Sequence, residues 1–267
     1  MTATSRHDAW QIGDSYDLYM GRWSRQIAPR FLEWLGVDGG LNWLEVGCGT
    51  GALTSAILAQ CAPRNLLAIE SSEGFLVQAR ANVMDERVTF QLGDAQSLPV
   101  DDASRDVVVS GLVLNFVPDM QKALMEKKRA VRSGGTVAFY VWDYPDGGVE
   151  FIHAFWQAAM ALDPDAAFLS EDRRFPFCTP EGLAKLAGRA SLVPEIAPIK
   201  IPTIFKDFED FWRPFTLGAG PAPGYCASLA QEARQRLKDS LSESLPRECD
   251  GSISLKARAW AMRAVIG

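Results

Sequence analysis

The chain has 267 residues, with 27 Lys and Arg against 33 Asp and Glu for a formal charge of −6, and it is 48% hydrophobic and 22% charged. This is the balance of a globular chain, not a disordered or fibrous one; with no basic block longer than Lys127, Lys128 and Arg129, nucleic acid is not an expected partner. Two distant histidines, His7 and His153, and five cysteines without a C-x-x-C pair exclude zinc spacing, so no metal is expected and the thiols read as core fillers in a reducing compartment.

The chain opens with MTATSRHDAW, which lacks a signal-peptide apolar core. The longest nearly uncharged apolar run, Val107 to Val117, is short of the roughly 20 residues that span a bilayer. No membrane association is expected, and a cytoplasmic placement is expected with it. Residues 1–40 form an aromatic arm, Trp10, Tyr16, Tyr19 and Trp23, leading into a helix with Ile27, Phe31, Trp34 and Leu35 on one side. From residue 41 to 144, apolar β-branched runs (NWLEVG, NLLAIES, RVTFQLGD, RDVVVSGLVLNFV, TVAFYVWDY) alternate with helical patterns. That alternation reads as an α/β, doubly wound parallel sheet covered on both faces. The helical stripe shows in Leu53, Ile57 and Leu58, then in Phe75, Leu76, Ala79 and Val83. In residues 145–267 the pattern lapses into helical pieces, Val149–Leu162, Thr179–Leu192 and Tyr225–Leu245, around strand-like runs at Glu195–Phe205 and Ser252–Ile266. These read as the last strands of the sheet with a helical cap inserted between them.

The most informative stretch runs from Asn42 to Thr54, where a buried strand enters Gly47-x-Gly49-x-Gly51 and then a helix. Glycines there admit unusual φ/ψ and let a ligand lie against the main chain. Two adenosine ligand classes use such a turn. A dinucleotide sets an anionic pyrophosphate on the helix N-terminus, and Gly47, Gly49 and Ala52 satisfy that pattern. S-adenosylmethionine brings an ammonium and a sulfonium instead, and Glu45, two residues before the first glycine, supplies a negative charge that suits cations. Glu70 ends the second strand 70 − 51 = 19 positions after the last glycine, where a carboxylate meets ribose hydroxyls. Asp94 follows the third strand and can accept from an adenine amino group. Each acid alone is ordinarily a cap or a solvated strand end. Three at successive strand ends converge on the crevice where open α/β sheets bind ligands.

The pieces LEVGCGTGALT, AIESSEGFL, GDAQSLP, DVVVSGLVLNFVPD and RAVRSGGTVAFYVWDY together resemble the class I S-adenosylmethionine-dependent methyltransferases, of the small-molecule and ubiquinone-biosynthesis-like type. The arm Tyr16-Asp-Leu-Tyr-Met-Gly-Arg-Trp-Ser24 looks like the opening of a bacterial subgroup. The resemblance implies a mostly parallel, Rossmann-like sheet of seven strands with an N-terminal lid and a helical cap. It implies S-adenosylmethionine as cofactor, S-adenosylhomocysteine as product and a small-molecule methyl acceptor. It further implies that Glu45, Gly47, Cys48, Gly49 and Gly51 border the methionine moiety, Glu70 and Ser71 the ribose, Asp94 and Ala95 the adenine, and Ser110 to Asn115 the sulfonium. The chain departs from the family pattern in having Glu at the first acid, and in Arg132-Ser133-Gly134-Gly135 where Lys-Pro-Gly-Gly is usual. Residues from Pro145 to Arg247 match no motif of the family.

Methyl transfer from a sulfonium is an in-line displacement that needs alignment and exclusion of water, with a general base only for acceptors that must lose a proton. No residue is assigned as catalytic. His153, Asp143 and Tyr19 are candidates by type, against the plainer readings of a packed or surface histidine and, for Asp143 with Tyr144, a strand end. Tyr16 and Tyr19 read as a lid shielding the sulfonium, with Arg22 or Arg25 on the cofactor carboxylate; Trp23 equally reads as a core anchor. The alternatives are a nicotinamide-dependent oxidoreductase and a protein that binds S-adenosylmethionine without catalysis. The aromatic group Phe205, Phe208, Phe211, Trp212 and Phe215 reads as cap core before substrate wall.

Overall fold

A computed structural model describes residues 17–218 and 220–267. The chain divides into two compact units. The sheet unit joins Gly21–Val141, Phe177–Ile199 and Ala259–Gly267, and the aromatic unit joins the segment ending at Met20 with Trp142–Pro176 and Lys200–Arg258.

In the sheet unit, helix α1 (Arg22–Leu35) buries Trp23, Ile27, Phe31 and Leu35 at helical spacing and closes on Gly36, whose left-handed backbone returns its N–H to the Leu32 carbonyl. Strand β1 (Asn42–Val46), helix α2 (Ala52–Gln60), β2 (Asn65–Glu70), α3 (Glu73–Asn82), β3 (Val88–Leu92), β4 (Arg105–Gly111), α4 (Met120–Ala130) and β5 (Val131–Trp142) follow as the alternation predicts. Leu44, Ala68, Val108 and Val137 are fully buried, because a parallel sheet clothed on both faces leaves no solvent side for polar residues. The order among the described residues is β3-β2-β1-β4-β5-β7-β6, with β6 (Glu195–Phe205) and β7 (Ile253–Val265) completing the seven strands. β1 pairs in parallel with β2 and with β4, so the winding direction reverses there. β7 runs against β5: Gly135 bonds Ile266 while Asp143 bonds Arg258. The pairings among β1 to β5 are all parallel, which matches the mostly parallel sheet the sequence predicts.

The aromatic unit is built on α5 (Glu150–Leu162), the one-turn helix α6 (Glu171–Arg174), α8 (Phe208–Trp212), α9 (Pro221–Ser228) and α10 (Gln231–Ser244); α7 (Pro180–Arg189) lies in the sheet unit. Phe155 stacks on Phe215 at 4.5 Å, Phe205 meets Phe211 at 5.1 Å, and Tyr19 meets Phe215 edge-on at 5.4 Å. Each such ring buries on the order of 150–250 Å². This cluster is core, the plainer of its two readings. The single helix expected over Tyr225–Leu245 is instead two, because Leu229 is extended and the Arg234 guanidinium takes the Cys226, Ala227 and Leu229 carbonyls that end α9. Four cysteines are buried as expected, whereas Cys249 is exposed.

Candidate functional site

The sheet unit brings the chemistry of the glycine turn together. β1 delivers the turn between β2 and β4, at the point of reversal where α/β sheets open a crevice. The Ile69 carbonyl receives both the Gly47 N–H at 2.7 Å and the Cys48 N–H at 3.0 Å, and the Asn82 amide donates to the Thr50 carbonyl at 2.9 Å. Gly47, Gly49 and Gly51 have φ of 79°, 55° and 92°, the left-handed region that side chains resist. Their surroundings differ. A Cβ on Gly47 would stand 2.5 Å from Val113, whereas one on Gly49 would meet nothing within 4 Å. Gly47 is therefore required by packing, and Gly49 presents bare backbone to open space.

Glu70 closes the turn from the neighbouring strand. Its Oε2 accepts the Gly49 N–H at 3.0 Å, and its Oε1 accepts the main-chain N–H of Ser71 at 2.8 Å and of Ser72 at 2.9 Å, with the Ser71 hydroxyl at 3.2 Å. Oε1 is saturated and Oε2 retains one lone pair, since each oxygen offers about two. A two-oxygen grip on a vicinal diol is therefore not available in this arrangement; Oε2 can take one hydroxyl.

Glu45 is fully buried, and its Oε2 accepts the Thr54 hydroxyl at 2.6 Å. Burial pushes its carboxyl up to about 8, against the pull of Thr54, and the nearby Glu70 charge adds to the rise. Burial likewise holds the Cys48 thiol well above its ordinary range, with the Glu45 charge next in effect, so Cys48 is inert as a nucleophile. Asp94 is exposed and its Oδ1 accepts the Gln96 N–H at 2.8 Å, which holds its carboxyl below the ordinary range. Ala95 lies beside it, half-buried. Ser110 ends β4 and Asn115 sits in the single turn Leu114–Phe116; both are buried, and the Ser110 Oγ and Asn115 Nδ2 have no hydrogen-bond partner. Buried polar atoms left unmatched are uncommon in proteins and mark places where a ligand or water completes the set.

Arg25 lies exposed on α1, and Tyr16 lies outside the described residues. Tyr19, Asp143 and His153 belong to the aromatic unit. Tyr19 is buried, and burial, then the charges of Glu171 and Tyr144, hold its phenol well above its ordinary range. Asp143 is fully buried and ion-paired with Arg258, the bond pattern of a structural anchor. His153 is exposed, with its ring against the Gly147 backbone. Sequence reasoning did not find Thr54 as the partner of Glu45; its only sequence signal is its place one helical turn inside α2.

Residues 44–139 match the methyltransferase domain family. The chain is 30% identical over 145 residues to a demethylmenaquinone methyltransferase of Lactobacillus johnsonii, covering 52% of this chain and 59% of that one. It is 33% identical over 152 residues to the human thiol S-methyltransferase TMT1A, covering 56% and 60%. The chain thus spans less than two thirds of the length of these relatives. A Haemonchus contortus phosphoethanolamine N-methyltransferase 2, solved with phosphomonomethylethanolamine and S-adenosylhomocysteine, superposes with a TM-score of 0.55 at 16% identity, over 95% of this chain and 56% of that one. At that identity the likeness is one of fold.

Proposed function

We propose that the chain, whose residues 44–139 match the methyltransferase domain family, is a class I S-adenosylmethionine-dependent methyltransferase that binds its cofactor at the glycine turn and methylates a small-molecule acceptor. The observation that carries this reading is the open, left-handed Gly49 with the Glu70 carboxylate fixed on its N–H. A backbone bared on one side and held by a buried acid on the other is a cradle for a polar, cation-bearing ligand.

The residues present fit that cofactor. Glu45 offers a carboxyl whose ionised form is recovered by a neighbouring ammonium. Glu70 keeps one Oε2 lone pair for a ribose hydroxyl, and Asp94 and Ala95 stand where the third strand ends. Ser110 and Asn115 bring an unmatched hydroxyl and an unmatched amide to the end of β4. When bound, S-adenosylmethionine supplies a methyl group on a sulfonium whose departure leaves a neutral thioether. The chain's own task is then positional: the turn and the Glu70 bridge hold their geometry through hydrogen bonds and, with the β4 end, set the line of displacement. The two relatives above bear different acceptors in their names, and the acceptor class proposed here is the coarse one they share, a small molecule.

Calorimetric titration with S-adenosylmethionine and with NAD tests the reading. Binding of the first alone, with release of S-adenosylhomocysteine over a panel of amine, hydroxyl and thiol acceptors, supports it. NAD binding without S-adenosylmethionine binding overturns it, and cofactor binding with no turnover across the panel identifies a non-catalytic binding protein.

A further inference from the structure

In the sheet unit a side-chain hydrogen bond spans the glycine turn: the Thr54 hydroxyl, in the first turn of α2, donates to the Glu45 Oε2 of β1 at 2.6 Å. Both side chains are buried. A Ser or Thr hydroxyl inside a helix ordinarily turns back to the carbonyl four residues earlier, and the adjacent Ser55 does so, donating to the Gly51 carbonyl at 2.8 Å. Thr54 reaches across the turn instead, and the carbonyl four residues before it, that of Thr50, receives the Asn82 amide. Glu45 has apolar neighbours on both flanking strands, Ala68 on β2 and Val109 on β4. The titratable groups around it are Glu70, whose charge opposes its ionisation, and the Cys48 thiol of the turn. The hydroxyl and main-chain N–H of Thr54 are the groups that favour its carboxylate.

We propose that Thr54 is a positioning residue for S-adenosylmethionine, its hydroxyl holding the Glu45 carboxylate that meets the α-ammonium of the cofactor. The inference rests on the reading that the cofactor binds at the glycine turn, and it adds a residue that acts on the cofactor through Glu45. A carboxyl buried among apolar neighbours keeps its proton until a cation arrives, so the ammonium must meet a group able to give that proton up. A hydroxyl both accepts and donates: it matches the protonated carboxyl before the ammonium enters and the carboxylate afterwards. The second bond is the stronger, since hydrogen bonds to ionised acceptors are about twice as strong as neutral ones. Thr54 thereby lowers the cost of ionising Glu45. Because the hydroxyl engages Oε2, Oε1 is the oxygen left for the ligand. The same bond ties the strand before the turn to the helix after it, so the carboxyl and the bare Gly49 backbone keep a fixed relation.

Calorimetric titration of the full chain with S-adenosylmethionine at pH 6.5 and at pH 9 tests it, on the parent, Thr54→Val and Thr54→Ser, with Thr54→Ala as the second hydroxyl-free variant if valine disturbs the packing. Without the hydroxyl Glu45 holds its proton to higher pH, so the ligand displaces it at greater cost where protons are abundant. Thr54→Val should bind at least about fivefold more weakly than the parent at pH 6.5. The ratio should shrink to about twofold or less at pH 9, because rising pH removes the proton from Glu45 in both proteins. The cofactor's own ammonium titrates identically in the two experiments and cancels in the ratio. Thr54→Ser keeps the hydroxyl and should restore parental affinity within about twofold at both pH values. A purely structural threonine would instead give a ratio independent of pH. Equal affinities of parent and hydroxyl-free variant, a ratio unchanged between the two pH values, or a serine variant as weak as the valine one would each overturn the proposal while leaving the cofactor site in place. A parent that binds no S-adenosylmethionine overturns the site itself, and the proposal with it.

Discussion

The Gly49 main chain donates its N–H to the Glu70 Oε2 at 3.0 Å across 21 positions of sequence, so the end of β2 holds the turn that follows β1. Glu70→Ala should orphan the N–H groups of Gly49, Ser71 and Ser72 at once. Unmatched buried donors cost about 1–3 kcal/mol each, and partial access of water reduces the sum, so urea denaturation should register a loss of about 2–4 kcal/mol. Calorimetric affinity for S-adenosylmethionine should fall by at least about tenfold, or 1.4 kcal/mol.

Two glycines of one turn should separate packing from binding. Gly47→Ala drives a methyl group to 2.5 Å from Val113 at a φ of 79° and should destabilise the fold by about 2 kcal/mol or more, since overpacking alone costs roughly 1–3 kcal/mol. Gly49→Ala meets only open space at a φ of 55°, so its thermal unfolding should shift by about 1 kcal/mol of backbone strain. Its cofactor affinity should drop more than its stability, and an unchanged affinity would remove Gly49 from the cradle.

Glu45 links stability to pH. Its folded-state carboxyl stands at about 8 against an ordinary 4.5, so the folded chain keeps a proton that the unfolded chain releases. The penalty is absent below about pH 4.5, grows as pH rises through that window at up to about 1.4 kcal/mol per unit, and is complete above about pH 8. Glu45→Gln retains an acceptor for Thr54 and carries no charge, so the difference in unfolding free energy between variant and parent should move in the variant's favour from pH 5 to 8. A difference that stays constant over that range would show that Glu45 titrates normally.

Asp143 is completely buried and paired with Arg258, whose side chain is 29% exposed. Removing one partner of a buried pair costs about 3–5 kcal/mol, and because Arg258 is partly exposed and keeps Asp146 at 3.9 Å, the loss on removing Asp143 should lie near the lower end of that range. Asp143→Ala should lower the melting temperature steeply, and Asp143→Ala with Arg258→Met should lower it by less than the sum of the single substitutions. Additive losses would mean the two side chains act independently.

Much of the sheet unit was legible along the chain because its determinants are local. Strands buried on both faces must be continuous apolar runs, as NLLAIE is in β2, and a turn with three left-handed positions must be glycine-rich. The acid positions were legible for the same reason: in a parallel sheet, equivalent strand ends share one edge. The break between α9 and α10 was not, because it depends on Arg234 reaching back to three carbonyls. Nor was Glu171, which sits in the run Glu171-Asp172-Arg173-Arg174 and reads as solvated until Trp156 is folded against it.

What the sequence by itself determined was the charge balance, the strand–helix alternation and the order of glycine turn and acids, all of which follow from spacing. What only the tertiary structure decided was the state of each acid. Glu45 is buried against Thr54 with a raised carboxyl, Glu70 spends most of its lone pairs on main-chain N–H groups, Asp94 stays exposed, and Asp143 is locked to Arg258. Identical carboxyl groups part company because desolvation and hydrogen-bond partners are set by residues distant in the chain, which spacing alone does not encode.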